Sequence, residues 1–549
     1  MRFRFGLLLL PLLALAQTAP PADDTCTLEG HVTNATTNEP IRKVTIRMER
    51  VDRPAGGTVV MNPTTYTTSS DEGGKFAMQG IEPGQYRLYA SRNGFVNENY
   101  GAHGHSRAGT TLTLTRQQHL KDINFAMTPQ GVITGRVLDQ DGDPLEYASV
   151  QVATYRYTQG RKQLQPSGYA NTNDLGEYRL FGIAPGKYVL FATANSDNRP
   201  NLVDASTTPA PEEEYVSTYY PGTPDPAAAA QIDVAAGAQL RGIDLTLAKT
   251  RTITVKGHVT APAGVRNAFV FVTPRNSGTF LGGMRRTSLD RNGNFELRVS
   301  PGSYYVTANA VAEGNRNYSA RVPLDAGTSN IEGLNVTISP GAAVTGAIAM
   351  EADGTPLPGA LHVSLQARDQ GPVFFGSPAV SVKDGAFTVE NVSPGLYNVN
   401  VSGLPRGYYV KSIRNDQTDV QTAGLDMSAG APAAIRIVLS PNAPSLSGTV
   451  QDPKTGNPAG GATVVLVPQE KERRGVPQDY RSTTTDQNGA FTMTSIPPGE
   501  YKAYAWEDVD YGAYMDPDFL KPVEDQGEAV SLKEGEQKNV SLKMIPADQ

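Results

Sequence analysis

The sequence predicts an all-β protein built as five tandem antiparallel β-sandwiches in an extended array. Three observations predict it. A two-turn phrase returns five times, at intervals near one hundred residues. Between its copies, short runs alternate apolar and polar residues as half-buried strands do. Gly 55 and Pro 40 together make about a sixth of the 549 residues, a composition that suits many short strands joined by turns.

The phrase joins an Asp/Gly turn to a Pro-Gly turn. Its copies are Asp71 to Phe76 with Pro83-Gly-Gln-Tyr86, Asp174 to Tyr178 with Pro185-Gly-Lys-Tyr188, and Asp290 to Phe295 with Pro301-Gly-Ser-Tyr304. The last two are Asp384 to Phe387 with Pro394-Gly-Leu-Tyr397, and Asp486 to Phe491 with Pro498-Gly-Glu-Tyr501. Successive final tyrosines, from Tyr86 to Tyr501, stand 102, 116, 93 and 104 residues apart. That period is long for a solenoid unit and right for domains that each bury their own core. The first turn calls for glycine because it needs positive φ. The Pro-Gly pair predicts a type II turn, with positive φ at Gly84, Gly186, Gly302, Gly395 and Gly499.

Each unit opens on one strand pattern: Leu28-Glu-Gly-His-Val32, Ile133-Thr-Gly-Arg-Val137, Val255-Lys-Gly-His-Val259, Val344-Thr-Gly-Ala-Ile348 and Leu446-Ser-Gly-Thr-Val450. A turn and a second alternating strand follow, as in Val44-Thr-Ile-Arg-Met48 or Val464-Val-Leu466. The repeated phrase comes next, then a variable loop, and each unit ends on a closing strand such as Ile123 to Met127 or Val540 to Met544. The boundaries read from this order are residues 27–128, 130–249, 251–339, 341–440 and 443–546, the third and fourth units being divergent. Joints such as Thr128-Pro-Gln-Gly131 are short and stiffened by proline, so little contact is expected between units that are not neighbours.

Residues 1–16 read as a signal peptide. Arg2 and Arg4 supply the charge, Leu7 to Leu15 the apolar stretch, and Ala14-Leu-Ala16 the small-residue cleavage site. The run is too short to span a bilayer, and no later run is apolar enough, so the mature chain is expected to be secreted or periplasmic. A single cysteine, Cys26, excludes an internal disulfide. Net charge is −7 with no basic run, which argues against nucleic-acid binding.

The order Gly-x-Val, Asp/Gly-x-Pro, Ala-x-Val-x-Val, Asp-x-x-Gly-x-Phe, Ile-x-Pro-Gly-x-Tyr resembles the carboxypeptidase regulatory-like domain. The resemblance extends over residues 27 to 546 and is strongest in repeats 1, 2 and 5. It implies a transthyretin-like (prealbumin-like) sandwich, related to Cna-B modules, and an exported location. It does not imply peptidase activity, because the domain is named for sitting beside a catalytic one.

No histidine begins a His-x-x-Glu zinc motif, and no Gly-x-Ser-x-Gly elbow or phosphate-binding glycine loop occurs. The chain is therefore expected to be no enzyme and to need no cofactor. His103 and His105 are a sparse pair of metal ligands, and surface-loop histidines mostly do nothing. Asp508, Asp510, Asp516 and Asp518 offer oxygens that would suit calcium, although acids in a polar loop are mostly just solvated. The same loop carries the only tryptophan, Trp506, with Tyr511, Tyr514 and Phe519. A flat ring beside Asp508 and Asp510 is what a sugar or a partner protein would need. The opposed reading is that these rings pack the loop onto its own sandwich. Two functions remain open at this level. One is a non-enzymatic binding or adhesion protein, with polysaccharide or a cell-surface protein as partner. The other is a structural spacer or an accessory subunit of an envelope complex with no ligand of its own. Burial of Trp506 would favour the second.

Overall fold

A computed structural model describes residues 25–51, 64–102, 109–158, 160–194, 213–262, 265–275, 285–312, 316–368, 379–428, 430 and 432–547. The signal segment and the pair His103 and His105 lie outside the described residues. Among the described residues the regular structure is almost all strand, with only short helical turns.

The repeats fold as two facing layers of strands, which in repeat 5 join into one sheet where Gly499–Trp506 pairs with Gln537–Ile545. In repeat 1 the opening strand Cys26–Asn34 pairs antiparallel with Lys75–Ile81 and parallel with the closing strand Phe125–Met127. The facing sheet runs Thr65–Ser69, Thr45–Arg50, Gly84–Ser91, with Leu112–Leu114 beside the last. The same pairing of opening and closing strands recurs along the chain, from Gly131–Asp139 with Glu177–Ile183 and Leu245–Leu247 to Ser445–Gln451 with Ala490–Met493 and Gln537–Ile545. The parallel pairing of opening and closing strands departs from the wholly antiparallel expectation. It follows from connectivity: the closing strand returns over the loop that precedes it and enters beside the first strand in the same direction. Buried apolar clusters follow the repeats, spanning Cys26 to Met127, Ile133 to Leu247, Ile253 to Ile338, Val344 to Leu439 and Leu446 to Leu542.

The repeated residues have local duties. On the opening strand glycine is required by contact. A Cβ on Gly30 would stand 1.9 Å from the Ile123 carbonyl oxygen, and one on Gly448 would stand 2.1 Å from that of Val540. The phrase aromatic lies over the same glycine, Phe76 over Gly30 and Phe491 over Gly448. In the first turn, Gly74, Gly176, Gly293 and Gly489 all have φ between 70° and 82°, as expected. An Asx side chain closes it: Asp71 Oδ1 accepts from the Lys75 amide and Asp486 Oδ1 from those of Asn488 and Ala490. In repeat 2 that role falls to Asn173, which accepts from Leu175 and Glu177, rather than to Asp174.

The expected positive φ holds at three of the five Pro-Gly turns. Gly186, Gly395 and Gly499 have φ of 151–155°, and Gly84 and Gly302 have no positive φ, so none is the third residue of a type II turn. Gly84, Gly186, Gly302 and Gly499 instead start the next strand, and Gly395 stands just before it. What fixes the corner is the tyrosine. Its hydroxyl donates to the carbonyl four residues back in every repeat: Tyr86 to Glu82 at 2.8 Å, Tyr188 to Ala184 at 2.7 Å, Tyr304 to Ser300 at 2.9 Å, Tyr397 to Ser393 at 2.8 Å and Tyr501 to Pro497 at 2.7 Å. The accepting residue is always the one before proline, so the phrase specifies its own hydrogen bond.

Contacts also form between repeats that are not neighbours in sequence. Repeat 5 returns to meet repeats 1, 2 and 4. The Gln487 amide brackets Thr113, its Oε1 accepting from the Thr113 amide and its Nε2 donating to the Thr113 carbonyl, both at 3.1 Å. A backbone bridge pairs Thr111 with Asp486 beside it. The tip of the long repeat 2 hairpin, Ser149–Thr158 with Arg161–Asn171, reaches repeat 5, where Tyr157 packs edge-on to Phe519 at 5.9 Å. Repeat 4 joins repeat 5 through Gly407, whose amide donates to Ser495 Oγ at 3.1 Å, and through Lys411, which pairs with Glu534 at 2.8 Å. These contacts come from strands as well as turns, since Thr113, Tyr157 and Lys411 lie on strands and Gln487 on a turn. The expectation of little contact between distant units is corrected accordingly.

Candidate functional site

The loop after Gly499–Trp506 folds into Ala513–Met515, Pro517–Leu520 and Lys521–Gln526 before the strand Glu528–Leu532. Strand alternation explains its contents. Tyr501, Ala503 and Ala505 face the sandwich core, so Tyr504 and Trp506 point to the outer face. The partner strand Thr463–Pro468 is apolar on both faces, with Val465 and Val467 on the outer side. An outer face that apolar must be covered, and the loop covers it. Trp506 is 3% exposed, stacked on Tyr504 at 5.1 Å and on Tyr514 at 6.4 Å, and tilted on Phe519. Burial pushes the Tyr480 and Tyr514 phenols up to about 12.

The predicted binding group therefore divides. Trp506 and Tyr514 form a second apolar layer and offer no ring face. Tyr511 is 75% exposed, with one edge held against Tyr514 at 6.1 Å. Asp508 and Asp510 are half-buried. Asp516 caps the helical turn, its Oδ1 accepting from the Asp518 amide at 3.0 Å, and Asp518 is exposed. Desolvation, then the Asp516 and Asp510 carboxylates, raise the Tyr157 phenol of the docked hairpin. Among the described residues no three His, Cys, Asp or Glu side chains gather to hold a metal. Cys26 is buried, its thiol donating to the Thr115 carbonyl at 3.0 Å.

Where repeats 2, 4 and 5 meet, they leave a cleft of about 790 Å³. Repeat 4 lines it with the outer-face amides Asn398 and Asn400 of Leu396–Ser402 and Gln366 opposite Asn398, and with the apolar Val401, Val410 and Ile413. The walls of the cleft are the Val476 to Arg481 segment of repeat 5, Tyr408 of repeat 4, and Tyr157 with Thr158 of repeat 2; Tyr511 stands at the rim. The charged wall residues are already engaged. Asp479, 2% exposed, accepts from Arg473 Nε at 2.8 Å, and Arg473 also donates to the Tyr501 hydroxyl at 2.6 Å. Arg481 donates to the Tyr480 carbonyl at 3.1 Å, and burial lowers its pKa. Sequence reading missed this cleft because its residues come from three repeats. The one local signal was the alternation Asn398-Val-Asn400 on a strand.

No curated protein matches the chain. Solved structures similar to it include the minor pilin GBS52 of Streptococcus agalactiae, 12% identical, covering 42% of this chain and 97% of that one, TM-score 0.23. A streptococcal ancillary pilin is 11% identical over 58% of this chain and 99% of its own, TM-score 0.19. The major pilin subunit BcpA of Bacillus cereus is 11% identical over 57% and 99%, TM-score 0.14. Among the described residues no helix is long and apolar enough to cross a membrane. Residues 27–128, 132–202 and 445–518 match the family model of the carboxypeptidase regulatory-like domain, and the likeness read from the repeated phrases is thereby shown for those three segments.

Proposed function

We propose that the chain is an exported, non-enzymatic structural protein, a scaffold whose five repeats hold one another in a closed arrangement. The observation that carries this reading is the position of repeat 5, which touches repeats 1, 2 and 4 at once. The buried ionic groups of repeat 5 support it, because Arg473 and Asp479 are bonded to each other and to the Tyr501 corner and so serve packing. Burial of Trp506 favours the structural reading over the adhesive one for that loop. Export rests on the signal pattern of residues 1–16. Fractionation of cells producing a tagged full chain in its native host tests the proposal. The chain is expected outside the cytoplasm, shortened by the leader; recovery of full-length chain in the cytoplasm overturns it.

A further inference from the structure

The geometry points to the cleft between repeats 2, 4 and 5 as a binding site for a neutral oligosaccharide. Asn398, Asn400 and Gln366 put primary amides on one sheet face. An amide offers donors and acceptors side by side, as a sugar hydroxyl does. Asn398 is 5% exposed and anchored, accepting from Arg368 Nε at 2.6 Å. Gln478, from the opposite wall, donates through Nε2 to Asn400 Oδ1, while its own Oε1 is buried and has no hydrogen-bond partner. That acceptor is closed to solvent, so the amides a ligand meets are those of Gln366, which is exposed, and Asn400, which is half-buried.

The walls supply the other half of sugar recognition. Tyr511 is open at the rim, steadied by its edge contact with Tyr514, and Tyr408 is half-buried on the repeat 4 side. Flat rings pack on the apolar faces of pyranoses while amides meet their edges. The volume, about 790 Å³, lies inside the range of small-ligand sites. The charges argue for a neutral ligand. Asp479 and Arg481 are occupied within the protein, and the chain carries a net charge of −7, so a phosphate or polyuronate would find no free cation in the wall.

The site goes beyond the scaffold reading, yet it exists only while the three repeats are packed together. Saturation-transfer NMR on the full chain with maltohexaose, cellohexaose, xylohexaose, mannohexaose and hexagalacturonate, each at about 1–10 mM, tests it. At least one neutral hexasaccharide should bind. Tyr511→Ala and Asn400→Ala should each weaken that binding about 10-fold or more, with melting temperature unchanged for Tyr511→Ala. Tyr169→Ala, an equally exposed ring on repeat 2, should leave it unaltered. Binding by none of the neutral sugars, binding of hexagalacturonate alone, or neutral-sugar binding indifferent to both cleft substitutions overturns the assignment. These outcomes are separate from export, which fractionation reads.

Discussion

Single residues hold each sandwich at two points, the opening glycine and the corner tyrosine. Gly448→Ala would drive a methyl to 2.1 Å from the Val540 carbonyl and 2.9 Å from the Phe491 ring. Strand separation is the only relief, so repeat 5 should lose more than about 3 kcal/mol in urea unfolding. Gly80→Ala, at a positive φ that Gly448 does not have but with nothing within 4 Å of its Cβ, should cost only about 1–2 kcal/mol. Trp506→Ala should behave as a core truncation, costing about 3–5 kcal/mol. A loss near zero would mean that the ring is not packed as described. The glycine pattern was plain in the sequence, but its cause was not, because the colliding carbonyl lies about ninety residues away. The Pro-Gly pair was misread for a related reason. A type II turn is a local preference, and the tyrosine hydroxyl, which bonds back to the carbonyl before proline, overrides it.

At the scale of elements, the strand Thr463–Pro468 decides the fate of the repeat 5 loop. Its continuous Val464-Val-Leu-Val467 run marked a strand covered on both faces, and that signal, weighed against the aromatic loop, would have buried Trp506 in advance. Arg473 and Asp479 tie the short helix Lys471–Arg474 to the tyrosine corner. Arg473→Met leaves Asp479 buried and unpaired, and should cost about 3–5 kcal/mol. Arg473→Met with Asp479→Leu should recover much of that loss in a double-mutant cycle, and additive losses would refute the pairing. Between repeats 4 and 5, hydrogen bonds from Lys411 and then Tyr409 hold the Glu534 carboxyl below its ordinary range. A depressed folded-state pKa adds stability that is present above the unfolded value, about 4.3, and is lost as pH falls through the folded value. The drop in melting temperature below about pH 4 should therefore be shallower in Glu534→Gln than in the parent chain. Identical acid profiles would contradict the contact.

Over the whole molecule, the fivefold plan was legible because each repeat writes its own turns and corner. The arrangement of the repeats was not. Gln487, which binds repeat 1, sits at the freely varying position of the Asp-x-Asn-Gly turn, and Tyr157 lies near the tip of the repeat 2 hairpin, outside the repeated phrase. Neither position carries a repeat signal. The claim that repeat 5 closes the chain is tested most directly by small-angle X-ray scattering of the full chain in dilute solution. A pair-distance distribution with one broad maximum and a short tail is predicted, lengthening when Gln487→Ala is combined with Phe519→Ala. A distribution with the long tail of five sandwiches in line, unchanged by those substitutions, would contradict it.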